Sequence, residues 1–252
     1  MNDAVQFHIN CKKGDVGKYV ILTGDPKRTD KIAAYFTDAE LVADNREYRI
    51  FTGTLNGERV SVCSTGIGGP STAIAVEELY NCGAEVMIRI GTCGGINMRV
   101  MGGDAVIPTG AIRQEGTTLH YVPSEYPAVP DHEVVEALIQ SAKESKKNYH
   151  TGIIQSKDSF YGQHSPEIMP VCGELEAKWN AWKTAGVLAS EMECSTVFVV
   201  GGIRGVKTGA VLHTLWNQER EAAGLPNPQD HDTDSAIRIA IRAIEILIDS
   251  AK

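Results

Sequence analysis

The chain is 252 residues long, with 24 Lys and Arg against 32 Asp and Glu, a formal net charge of −8. That length suits one large α/β domain around one buried core, so residues 1–252 are expected to form a single domain. The acidic balance excludes a protein that grips nucleic acid through clustered Lys and Arg, and any anionic ligand must meet a local positive site. Six cysteines, Cys11, Cys63, Cys82, Cys93, Cys172 and Cys194, show no C-x-x-C spacing and lie within or beside apolar runs. Reduced, buried thiols are expected rather than disulfides or a zinc site. The opening MNDAVQFHINCKKGD has no apolar h-region and no run reaches membrane length, so a soluble, unanchored, cytoplasmic protein is expected.

In chain order, Tyr19–Thr23, Val60–Ser64, Val86–Ile90, Ala105–Pro108 and Val206–Leu212 are short, apolar and rich in β-branched residues. They predict strands buried on both faces. Helical patterns lie between and after them, over 26–36, 70–82, 131–144, 191–203 and about 233–251. In the last, Ile237, Ala240, Ile241, Ile244, Leu247 and Ile248 form one apolar stripe, with Arg238, Arg242, Glu245 and Asp249 off it. The alternation predicts an α/β fold with a central mixed sheet flanked by helices, and ligands at the carboxyl ends of its strands. The stretches 161–170 and 218–232 read as long polar loops, candidate rims or lids.

Five segments carry candidate chemistry. Thr23-Gly24-Asp25-Pro26-Lys27-Arg28 follows a strand, and its backbone N–H groups and Arg28 could face an anion; Asp25 as N-cap and Pro26 as first helical residue equally describe an ordinary turn. Thr65-Gly66-Ile67-Gly68-Gly69-Pro70-Ser71 resembles a dinucleotide loop but has Ser71 where the third glycine belongs, leaving a phosphate or sugar loop, or tight packing. Val86–Gly95 places Arg89 inside a buried strand just before Thr92. Such a guanidinium needs either a structural acidic partner or a bound anion. Ser190-Glu191-Met192-Glu193 reads as a capping box, or as two carboxylates placed for sugar hydroxyls. Asp158–His164 offers Phe160 for stacking and the Gln163 amide for pairing with a heterocycle, or simply an exposed turn.

Together, G-D-P-x-R at 24–28, N-R-E-Y at 45–48, S-T-G-I-G-G-P-S-T at 64–72, R-I-G-T at 89–92 and E-M-E at 191–193 resemble the trimeric and hexameric nucleoside phosphorylases. The long glycine run and D-S-F-Y-G-Q resemble the uridine phosphorylase branch in particular. The resemblance runs from about His8 to the closing helix. It implies reversible phosphorolysis of uridine to uracil and ribose 1-phosphate. Phosphate would be held by Gly24, Arg28, Arg89 and Thr92, with Arg46 from a neighbouring subunit. The ribose would meet Met192 and Glu193, with Glu191 near and His8 reaching across the dimer interface. Gln163 would read the uracil edge and Phe160 its face. The implied catalytic set is Arg89, Glu193 and Gln163. Inorganic phosphate is the co-substrate, no cofactor is implied, and the assembly would be a homo-oligomer, a hexamer built as a trimer of dimers. In some relatives a monovalent cation sits on residues matching Glu47, Ile67 and Ser71.

The chain departs from that branch at the base. Ser165 stands where many uridine phosphorylases carry an arginine, and Gln218 where a second is found, so His164, Gln218 or Arg220 is expected to replace them. His213–Asn217 lacks the aspartate of purine-specific relatives, which favours a pyrimidine. The rival readings are a purine nucleoside phosphorylase, a hydrolytic nucleosidase and a noncatalytic nucleoside-binding protein on the same fold.

Overall fold

The computed structural model describes residues 4–252. Its strands are β1 (Tyr19–Thr23), β2 (Thr37–Asn45), β3 (Tyr48–Leu55), β4 (Glu58–Ser64), β5 (Val86–Gly95), β6 (Ala105–Gln114), β7 (Tyr149–Lys157), β8 (Ala189–Glu191) and β9 (Lys207–Asn217). They form one mixed sheet in the order β2-β3-β4-β1-β5-β8-β7-β6-β9, and β9 pairs again with β5. The second pairing closes β5, β8, β7, β6 and β9 into a ring, and β1, β4, β3 and β2 extend from it as a wing. Parallel neighbours of β5 are β1 and β9, so three strands reach their carboxyl ends side by side.

The helices are α1 (Pro26–Ala33), α2 (Gly69–Cys82), α3 (His132–Ser145), α4 (Phe160–His164), α5 (Cys172–Thr184), α6 (Cys194–Ile203), α7 (Gln218–Ala222) and α8 (Asp234–Ser250). The expected α/β architecture with flanking helices is what forms. β1 shows why: Val20 and Leu22 join one apolar cluster with α2 and α6, while Tyr19 and Ile21 join another with α3 and α8. A strand buried on both faces must be largely apolar, and β1 is, up to Thr23 at its carboxyl end. The stripe of α8 packs as expected, with Ile237, Ala240, Ile241, Ile244 and Ile248 buried.

Some expectations are corrected. Residues 191–203 are not one helix: β8 ends at Glu191 and α6 begins at Cys194. The stretch 161–170 holds most of α4 and a 3-10 turn at Pro166–Ile168, with Ser159 accepting from the Gly162 N–H at 2.9 Å. The stretch 218–232 opens with α7, capped by the buried Asn217 side chain through the Glu219 and Arg220 N–H groups. Arg220 donates to the carbonyls of Pro226 (2.8 Å) and Met98 (2.6 Å), which ties this segment to the body. All six cysteines are free thiols, five of them buried; Cys172, at the start of α5, is half-exposed.

Candidate active site

A cleft of about 670 Å³ opens over the carboxyl ends of β1, β5, β7, β8 and β9. Its floor is Arg89, only 4 % exposed. Nε donates to Glu191 at 3.3 Å and Nη2 to Glu193, while Nη1 has no protein partner among the described residues. The structural-partner reading of this arginine therefore holds for two of its nitrogens, which pair with buried carboxylates, while the third has no such partner among the described residues. Burial would lower its pKa, but Glu193 and Glu191 outweigh that and hold it above the usual guanidinium value. A Cβ at Gly91 would lie 2.8 Å from Arg89 Nη2 and from Leu212 Cδ2, so a larger residue there would push on the guanidinium.

Arg28, on the first turn of α1, faces the same floor and donates from Nη1 to Thr23 Oγ1 at 3.1 Å. Burial, and then the neighbouring Arg89 charge, push its pKa down. Two guanidiniums that repel each other in a recess lined by Gly24 and Thr92 make a site that an oxyanion would relieve. Asp25 is the N-cap of α1, accepting from the Lys27 N–H at 2.9 Å, so the ordinary-turn reading is correct for that residue.

The capping-box expectation for Ser190 and Glu193 fails. Ser190 lies in β8, and the Glu193 carboxylate instead accepts from the Gly68 N–H at 2.6 Å and from Arg89. Gly68 makes this contact at φ 92°, a conformation costly for any residue with a Cβ. Burial pushes the Glu193 carboxyl above the ordinary carboxylate range, against the pull of Arg89. Glu191 is the residue that caps α6. It accepts from the N–H groups of Glu193 (2.8 Å) and Cys194 (2.9 Å), from Ser156 Oγ and from Arg89. Its lone pairs are filled, so it orients Arg89 and the helix, and it lines the cleft together with Met192 and Glu193.

The far wall is aromatic and polar. Phe160 is half-exposed, His164 tilts against it with centroids 4.3 Å apart, and His164 stacks on Trp216 at 5.4 Å. Burial, then the nearby Lys157 charge, lowers the His164 pKa. Gln163 Oε1 accepts from Ser190 Oγ at 2.8 Å, and its Nε2 donates to Gln218 Oε1 at 3.0 Å. Sequence reasoning missed Lys157. It ends β7, is buried, lines the cleft and donates from Nζ to Ser190 Oγ at 2.6 Å. Burial lowers its pKa to about 8, against the opposing pull of Glu191 and Glu193. Lys157 closes a strand, Tyr149–Lys157, whose apolar run is broken by polar residues, so β7 was not recognised and its cation did not stand out.

Gln218 reaches the cleft only through Gln163. It lines a second cavity of about 640 Å³ behind α4 and α5 that shares Lys157, Gln163 and His164 with the first. Arg220 is turned away to its carbonyl partners. His8 and Arg46 lie outside this chain's own cleft. His8 is held by Glu78, with Nδ1 2.6 Å from Oε1, and Arg46 is exposed at φ 56°. Ser71 Oγ donates to the Ile67 carbonyl at 3.3 Å, and Gly66 rests on the Glu47 side chain, so Glu47, Ile67 and Ser71 share one corner.

Fold and cleft define an α/β protein that sets two guanidiniums, beside Gly24 and Thr92, against a carboxylate and an aromatic, amide-bearing wall. The chain belongs to the phosphorylase superfamily, whose family model matches residues 18–251. It is 53 % identical to a uridine phosphorylase of Treponema pallidum over 96 % of this chain and 94 % of that protein. It is 38 % identical to a guanosine phosphorylase of Halorubrum lacusprofundi over 97 % of this chain and all of that protein. A uridine phosphorylase of Escherichia coli is 35 % identical over 98 % of this chain and its own full length. Among the described residues no helix is long and apolar enough to cross a membrane.

Proposed function

We propose that this protein catalyses the reversible phosphorolysis of uridine, giving uracil and ribose 1-phosphate. The observation that carries the reading is the unpartnered Nη1 of buried Arg89, in one cleft with Glu193 and Gln163. Breaking the bond from C1′ to the base leaves positive charge on the ribose and negative charge on the uracil. Phosphate held on Arg28, Arg89, Thr92 and the Gly24 backbone supplies the nucleophile and a counter-charge close to C1′. Glu193 accepts from the ribose hydroxyls, with Met192 beneath the ring and Glu191 orienting Arg89. On the other side the uracil stacks on Phe160 and meets the Gln163 amide. The Lys157 ammonium, with His164 beside it, stabilises the departing anion, the task expected of an arginine at position 165 or 218. Arg220 is not among these donors.

Phosphate is the second substrate, and the chemistry needs neither a metal nor an organic cofactor. His8 and Arg46, presented outward, serve the cleft of a neighbouring copy, which requires a homo-oligomer; we place it as a cytoplasmic hexamer of one-domain chains. A monovalent cation at such an interface would lie at Glu47, Ile67 and Ser71. The relatives named for uridine support the pyrimidine, while the guanosine phosphorylase makes a purine the alternative to test. Uracil release from uridine should depend on phosphate and exceed base release from inosine and guanosine. Phosphate-independent release would mean a nucleosidase, preferential purine release would move the substrate class, and binding without turnover would leave a nucleoside-binding protein.

A further inference from the structure

Four polar side chains run in one line behind the base wall: Lys157 Nζ to Ser190 Oγ at 2.6 Å, Ser190 Oγ to Gln163 Oε1 at 2.8 Å, and Gln163 Nε2 to Gln218 Oε1 at 3.0 Å. The direction of the line is fixed at its buried end. An ammonium only donates, so the Ser190 oxygen must accept from Lys157 and its single O–H must point onward. Lys157 and Ser190 are 6 % and 3 % exposed, so that hydroxyl has no water to turn to. The atom of Gln163 facing it is therefore the carbonyl oxygen, and the amide nitrogen faces Gln218. Gln218 is only half-buried and can rotate to suit either amide orientation, so it does not set the direction.

We infer that Ser190 is a positioning residue that fixes the polarity of the Gln163 amide and thereby selects a uracil edge over a cytosine edge. The inference rests on the proposed uridine reading and deepens it. With one bond made at each end, Gln163 retains one lone pair on Oε1 and one hydrogen on Nε2. That pair complements an imide N–H beside a carbonyl, the N3 edge of uracil. Cytosine presents an acceptor at N3 and a donor at N4, the reverse order. To read it, Gln163 would have to turn its amide over, leaving the buried Ser190 hydroxyl hydrogen without an acceptor.

The test compares kcat/KM for uridine and cytidine, at saturating phosphate, in the wild type, Ser190→Ala and Ser190→Thr, with thermal melts to confirm folding. The wild type should prefer uridine strongly. In Ser190→Ala the amide is free to turn, and the uridine-to-cytidine ratio should fall about tenfold, the equivalent of one buried hydrogen bond. Ser190→Thr, which keeps the hydroxyl, should hold the wild-type ratio. Should Ser190→Ala not fold, Ser190→Gly removes the same hydroxyl and should lower the ratio likewise. A variant that slows both nucleosides equally would show a merely structural serine and overturn the inference while leaving uridine as substrate. A wild type that turns over neither nucleoside would remove the uridine reading and this inference with it.

Discussion

Replacing Lys157 by methionine should make the protein more stable and much less active. A solvated lysine titrates at 10.5 and burial lowers Lys157 to about 8. At about 1.4 kcal/mol per tenfold, the folded state carries roughly 3 kcal/mol of cost for holding this proton near pH 7. The sign follows from linkage. Below about pH 8 both states are protonated and the cost is present in full; between about pH 8 and 10.5 only the unfolded chain keeps the proton, so wild-type stability rises with pH across that window. Methionine fills much the same volume without the charge, though Ser190 loses its donor. Lys157→Met should therefore gain about 1–3 kcal/mol near pH 7, shrinking by about 2 kcal/mol near pH 9.5. Its kcat/KM for uridine should fall on the order of 100-fold if the ammonium meets the departing uracil. Urea unfolding at the two pH values, at one protein concentration, measures the first effect and initial rates the second. A variant less stable than the wild type at both pH values, or a difference that ignores pH, would refute the assignment of a desolvated charge.

Arg89→Met leaves Glu191 and Glu193 buried without their cation; we expect a loss of about 3–5 kcal/mol in chemical denaturation and a collapse of phosphate-dependent turnover. Arg28→Ala, at a half-buried position with no ion pair among the described residues, should leave the melting curve nearly unchanged while raising the phosphate KM about tenfold. Arg46→Ala and Glu193→Gln should each be nearly inactive alone. Refolded together they should regain up to about a quarter of wild-type activity, because half of randomly formed dimers would carry one site intact on both sides. No recovery would place both residues in a single chain's site.

The strands that carry the cleft were legible where burial on both faces leaves an unbroken apolar run, as in β1 and β5. β2 was missed because it is an exposed edge, Thr37–Asn45 being mostly polar. β7 was missed because its outer half, Tyr149–Ile153, is only partly covered and breaks the run. Arg89, Arg28 and Phe160 could be singled out by residue type against local pattern. The partnership of Glu193 with Gly68 could not, since it joins residues 125 positions apart through a backbone N–H that carries no sequence signature. The same limit applied to Ser190-x-x-Glu193, whose spacing fits a capping box, yet the tertiary pull of Arg89 and Gly68 takes the carboxylate elsewhere. At the base wall, asking which residues replace two arginines directed attention to positions 165 and 218, while the cation enters the cleft from another strand.

The uneven burial of the six thiols has a practical use. Five are enclosed in the interior, and Cys172 alone sits partly in solvent, one turn of chain beyond the 3-10 segment that follows Phe160, Gln163 and His164. Its thiol is pushed up by desolvation and by Glu176, so alkaline conditions favour labelling. A maleimide dye should thus attach at one place in the native protein without any engineering. Its emission, read with and without phosphate and uridine, tests whether the segment beside the base wall responds to substrates, turning an incidental cysteine into an optical probe of the site.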